Sequence, residues 1–176
     1  NPPRQDFQFS NTAPTVRLIL KPLVNDTTFA SVSVTWAGGD VDGDATKLQY
    51  LVWLDGREAT PDITTGSEFT MPTDRFLVNG DFTNARRKLF VQAIDDGGRA
   101  SALDSVSWMV RRPVTGPRAR LLFVDDVPPS NTNNARYDSL YTNAATRVGL
   151  ASSEYSVLRL DRTQPFRTAK DVEQTF

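Results

Sequence analysis

Asp40, Asp42 and Asp44 alternate along a short stretch, with Gly43 between the last two. Carboxylates at i, i+2 and i+4 can curl around one hard cation, because glycine permits a sharp backbone turn and oxygen ligands suit calcium. A second pair, Asp95 and Asp96, stands before Gly97 and Gly98, and a third, Asp125 and Asp126, closes the apolar run Arg120–Val124. Paired acids at the carboxyl end of a strand can hold Mg2+ or polarise a substrate. Each group also has a plainer reading. Asp and Gly build solvated turns whose side chains bond nearby backbone, and an Asp often simply ends a strand. The run from Asp40 is not an EF-hand, since no Glu stands at the twelfth loop position. No glycine-rich phosphate loop follows Asp126. Val127-Pro128-Pro129 is stiff and poor in amides, which disfavours nucleotide binding.

The missing residue types exclude more. The 176-residue chain has no cysteine and no histidine. Disulfides, thiol catalysis, Ser-His-Asp triads and His- or Cys-ligated metals are therefore impossible within it. With 20 basic and 21 acidic residues and a net charge of -1, it offers no polyanion-binding stripe, so no nucleic-acid partner is expected. No apolar run reaches the length that spans a bilayer.

Short alternating segments must position these acids. In Ala30–Trp36, Val32, Val34 and Trp36 share one face, the period-2 signature of a half-buried strand. Val16–Leu20, Lys47–Leu54, Glu68–Met71, Arg87–Ile94 and Ser105–Val110 read the same way, divided by Gly, Pro and Asp clusters. Leu89, Val91 and Ala93 face inward, as do Val106, Trp108 and Val110. The clusters Arg86-Arg87-Lys88 and Arg111-Arg112 read as solvated strand ends. Trp36 and Trp108 read as core. Trp53 lies opposite the main apolar set of its strand (Leu48, Tyr50, Val52, Leu54) and is the candidate for stacking on a carbohydrate ring.

Six or seven short strands in about 100 residues is the pattern of a β-sandwich. The runs Trp36-Ala-Gly-Gly-Asp40-Val-Asp42-Gly-Asp44, Leu48-Gln-Tyr50, Leu54-Asp55-Gly56 and Phe90-Val-Gln-Ala-Ile-Asp-Asp-Gly-Gly98 resemble the fibronectin type III and Ig-like modules of bacterial surface and secreted proteins. The resemblance covers residues 12 to 112. It implies an antiparallel sandwich that spaces, presents or binds and rarely catalyses. In that architecture the loops carrying Asp40–Asp44 and Asp95–Asp96 lie at the same end. Convergence of their five carboxylates would favour a bound Ca2+ or raised pKa values.

From 113 to 119 the chain reads as a linker, and the pattern then changes. Arg120–Val124 suits a strand buried on both faces of a parallel sheet. Ala135–Val148 has helical spacing, with Tyr137, Leu140, Tyr141, Ala144 and Val148 on one face and Gly149 as its stop. Tyr155–Leu160 is a second strand, and Thr168–Phe176 opens as a helix. This βαβα order resembles the first unit of flavodoxin-like or glutamine-amidotransferase-like domains. Two strands do not close such a sheet, which points to a piece of a longer protein. The expected organisation is an extended lead-in over 1–11, a mainly β Ig/fibronectin type III-like sandwich over 12–112, the linker, and a partial α/β segment over 120–176. The expected role is a non-catalytic structural or interaction module, extracellular, at the cell surface or periplasmic. Its expected partner is another protein or a further copy of the chain. The alternatives are the front end of a secreted hydrolase whose catalytic domain continues past residue 176, and a carbohydrate-binding module.

Overall fold

The structure, a computed structural model, describes residues 11–22, 24, 27–112, 120–125 and 134–159. The expectations for the lead-in through residue 10, the linker at 113–119, Asp126 and the helix at 168–176 lie outside these residues. Strands β1 (Thr15–Leu20), β3 (Val32–Gly39) and β6 (Glu68–Met71) form one antiparallel sheet in the order β1-β3-β6. A second sheet has the order β2-β8-β7-β4-β5. Its strands are β2 (Thr27–Thr28), β8 (Asp104–Val110), β7 (Ala85–Ile94), β4 (Gln49–Leu54) and β5 (Asp62–Thr64). Only the short β2–β8 pairing in it is parallel. Three strands in the A-B-E positions thus face G-F-C-C′, extended by β2 beside G. This is the fibronectin type III-like sandwich that the sequence pattern predicts.

The period-2 patterns explain the core. Val32, Val34 and Trp36 of β3 meet Tyr50, Val52 and Leu54 of β4, Leu89, Val91 and Ala93 of β7, and Val106, Trp108 and Val110 of β8 in one buried cluster. Truncating any one of its fully buried large side chains to alanine costs about 2–5 kcal/mol. The Trp108 indole donates from Nε1 to the Thr28 hydroxyl (2.8 Å), so the two-residue β2 is fixed to β8 by side chain as well as backbone.

Three elements escape the sequence pattern. β2 and β5 are too short to show a period, and Thr73–Phe76 is a 3-10 turn rather than a strand. That turn inserts Phe76 edge-on to Trp108, with ring centroids 6.4 Å apart. Lys47, expected to begin the third strand, instead closes a 3-10 turn over Ala45–Lys47, so β4 starts at Gln49.

In the last third, β9 (Leu121–Asp125) and β10 (Tyr155–Arg159) pair in parallel, with α1 (Asn134–Arg147) between them in sequence. Gly149 takes a left-handed φ of 74°, and Leu150 N–H bonds back to Ala145 O at 2.9 Å, closing the helix as the glycine stop predicts. Phe123 of β9 contacts Tyr141 of α1 and Tyr155 of β10 at centroid distances of 5.2 and 5.7 Å. The predicted apolar face of α1 needs correction. Ala145 is fully buried and Tyr137, Tyr141 and Ala144 are half-buried, but Leu140 and Val148 are 58% and 70% exposed. Among the described residues this sheet has two strands, so it covers the stripe through Tyr141 and Ala145 and leaves the flanks bare.

Candidate functional site

The two acidic loops meet at one end of the sandwich, as the strand order requires. The loop after β3 carries Asp40–Asp44, the loop after β7 carries Asp95–Arg99, and the Lys47 ammonium reaches Asp96 across them at 3.8 Å. Both side chains are 61% exposed, so the pair marks proximity and adds little stability. The chain entering β1 completes this end. Thr12 N–H donates to Asp42 Oδ2 (2.8 Å), and the Asn11 side chain packs on Gly97.

Backbone amides hold one oxygen of each of Asp40, Asp42, Asp44 and Asp95. Asp44 caps the 3-10 turn through Thr46 N–H (3.0 Å) and accepts the Thr46 hydroxyl as well (2.6 Å). Asp40 accepts from Asp42 N–H (3.4 Å) and folds over Gly43, where any side chain would collide with it. Asp95 accepts from Arg99 N–H (2.7 Å) and closes the β7–β8 turn. These bonds hold Asp44 below the usual carboxylate range, chiefly through the Thr46 hydroxyl, and Asp42 likewise, chiefly through Thr12. Among the described residues no three acids are grouped so as to hold a metal ion. The five acids share one end of the molecule. The geometry they do show is the turn chemistry of the plainer reading. One atom stands apart: Asp95 Oδ2 is buried and has no hydrogen-bond partner.

Trp53 is not an open platform. Its indole is 8% exposed and stacks on Phe90, its cross-strand neighbour, at 5.4 Å and 14°. Lys88 lies 4.9 Å from the centroid of that Phe90 ring. A sugar ring has no exposed indole face to stack on here.

Asp125 sits at the carboxyl end of β9, as its place after the apolar run predicts, and is only 2% exposed. The Tyr141 hydroxyl points to its Oδ1 at 3.4 Å. Burial, reinforced by the Asp125 charge, raises the Tyr141 pKa. This tyrosine was not among the candidates, because its helical spacing marks it equally well as a packing residue. Along the first half of α1, an open cavity of about 480 Å³ is lined by Arg136, Tyr137, Ser139, Leu140 and Asn143.

The opposite end of the sandwich holds an ion pair between a buried arginine and a half-exposed aspartate that the sequence reading missed. Arg87 is 6% exposed, which corrects its assignment to a solvated cluster. Its guanidinium donates to Asp55 Oδ1, Asp55 O and Phe76 O, each at 3.1 Å. Asp55 Oδ1 also accepts from Lys88 N–H at 2.7 Å. The tight turn after β4, the Thr73–Phe76 turn and the start of β7 are therefore joined through one side chain. The signal was present: Arg87 continues the inward alternation of Leu89, Val91 and Ala93. Charge argued against burial, and only the partners supplied by distant segments reverse that.

No family model matches the sequence, and no curated protein does. Solved structures with similar folds exist. The fibronectin(III)-like modules of CbhA from Clostridium thermocellum align with 23% identity and a TM-score of 0.41, over 55% of this chain and 97% of theirs. A fibronectin type III domain of human fibronectin type III domain containing protein 3 aligns with 13% identity and a TM-score of 0.37, over 64% of this chain and 95% of its own. A Bacillus anthracis protein described as a polysaccharide deacetylase aligns with 16% identity and a TM-score of 0.32, over 83% of this chain and 51% of its own. The strand order given above, rather than these alignments, identifies the sandwich.

Proposed function

We propose that this chain is a non-catalytic structural and interaction module of an exported protein, working outside the cell or at its surface. One observation carries the reading. At the end of the sandwich where loops usually carry function, the acidic side chains serve their own turns and join the loops to each other and to the entering strand. A body built this way presents its sheet faces and short edges to neighbours and holds a fixed length between them. No helix among the described residues is long and apolar enough to cross a membrane.

The test is surface labelling of intact source cells with a membrane-impermeant amine reagent. Lys47 and Lys88 are exposed and available to it. Labelling of intact cells equal to that of a known surface protein is the expected result. Labelling that appears only after lysis would overturn export. Turnover of any substrate by residues 11–112 would overturn the non-catalytic role.

A further inference from the structure

The outer face of the five-stranded sheet carries cations, an apolar strip and no acid. Residues directly opposite each other in antiparallel strands share a face. The pairs Trp53–Phe90, Leu51–Ile63 and Lys88–Ser107 therefore lie together on the side turned away from the core, and Arg86 pairs there with Met109. Ile63 is 65% exposed, and Leu51 and Phe90 are half-buried. With Trp53 they form an apolar strip across β5, β4 and β7. Its polar groups are incomplete. The Trp53 indole N–H is buried and has no acceptor, whereas a buried indole ordinarily finds one. Lys88 lies over the Phe90 ring at 4.9 Å, so the positive charge and the strip are contiguous. Arg86 adds a second exposed cation, which also donates to Val24 O at 3.0 Å. No Asp or Glu occupies an outward position in β2, β4, β5, β7 or β8.

The acidic end of the sandwich is the complement of this face. Val41, in the loop after β3, is 89% exposed and stands between Asp40 and Asp42. Asp42 and Asp44 are exposed beside it, and Asp96 is 61% exposed. Lys47 and Arg99 are the cations of this end, and five acids outweigh them. The tip is thus an aliphatic side chain ringed by negative charge, and the face is an aliphatic and aromatic strip flanked by positive charge.

We propose that the Val41 loop of one copy of this chain docks on the outer sheet face of the next copy. The valine meets the strip of Leu51, Ile63 and Phe90, and its flanking carboxylates meet Lys88 and Arg86. Pairing of the face with itself about a two-fold axis sets cations against cations, and pairing of two tips sets acids against acids; both are penalised. Each patch suits the other and not itself. A contact of this kind leaves one tip and one face free in every pair, so copies add end to face into chains rather than closing as dimers. One loop tip buries less than about 1,200 Å², which places the contact in the weak class. This inference rests on the interaction-module reading and names a partner for it.

Sedimentation of the 176-residue chain from about 10 μM to about 1 mM tests the proposal, in the range where a weak interface associates. At about 0.02 M salt the weight-average mass should climb with concentration past that of a dimer, and at about 0.5 M salt it should fall back, because screening then acts within a few ångström. Val41→Arg and Lys88→Glu alter exposed side chains, and Ile63→Asp repeats the face test at a separate exposed residue. Thermal melts within about 2 °C of the parent confirm their folding. Each variant alone should associate at least about tenfold more weakly than the parent. An equimolar mixture of Val41→Arg and Lys88→Glu should associate again, since one supplies an intact face and the other an intact tip. A parent chain that stays monomeric throughout overturns the proposal, as does a folded variant that associates like the parent. A mixture that stays monomeric overturns it too and assigns the contact to like patches. None of these outcomes bears on export or on catalysis by the sandwich.

Discussion

Replacing Arg87 by alanine removes the side chain that joins three segments at one end of the sandwich. Its guanidinium makes three hydrogen bonds at 3.1 Å and the residue is 6% exposed. The Asp55 side chain is 45% exposed, so water takes over its carboxylate when the arginine goes. The Phe76 carbonyl is less fortunate, since its bond to Arg87 lies in buried surroundings. An orphaned buried acceptor costs about 1–3 kcal/mol. The lost methylenes of the stem add about 0.8 kcal/mol each. The sum is about 3 kcal/mol, which at a urea m-value of about 2 kcal/mol/M moves the unfolding midpoint down by about 1.5 M. Arg87→Met keeps the stem and loses the fork, and should lose about 2 kcal/mol, mostly through the orphaned carbonyl. Arg86→Ala, at an exposed neighbour on the opposite face, should change stability by less than about 0.5 kcal/mol. Urea melts followed by tryptophan fluorescence measure all three. A loss below about 1 kcal/mol for Arg87→Ala, or one no larger than for Arg86→Ala, refutes the claim that the buried Arg87 holds the end together.

Three further outcomes are expected. Gly38→Ala places a methyl group against the Tyr50 hydroxyl and should cost about 1–3 kcal/mol, with part of the loss recovered in the double variant with Tyr50→Phe; a thermal melt showing no recovery would mean that the clash lies elsewhere. Asp42 and Asp44 titrate below 3.8 when folded, so the stability they add is complete above that value and is lost as pH falls through their folded pKa values. Carbon-13 carboxyl titration that places either at or above 3.8 would contradict the Thr12 and Thr46 bonds. Millimolar CaCl2 should leave the melting temperature unchanged within about 1 °C, because binding stabilises only when the native fold holds a site; a rise of several degrees, abolished by Asp95→Asn, would show that the loop end does assemble a cation site around the unpartnered Asp95 oxygen.

The sequence alone determined the parts of this protein that rest on local pattern. Alternation in Ala30–Trp36 and Arg87–Ile94 placed the core residues, because a strand sends successive side chains to opposite faces whatever its neighbours are. Asp-Gly clusters placed the turns, and an apolar run followed by a helical stripe placed the β9-α1-β10 order. The absence of histidine and cysteine excluded whole classes of chemistry without any structure. Tertiary structure alone decided what depends on partners distant in sequence. Trp53 is buried because Phe90 pairs opposite it, and Arg87 is buried because Asp55 and Phe76 O arrive to satisfy its charge. Leu140 is exposed because, among the described residues, two strands lie beneath α1 and leave that flank uncovered. The acidic loops do converge, as topology required. Whether convergence makes a cage or a set of turns depends on which backbone amides each carboxylate meets. Thr12, Thr46 and Arg99 supply those amides here, and no residue spacing encodes their approach.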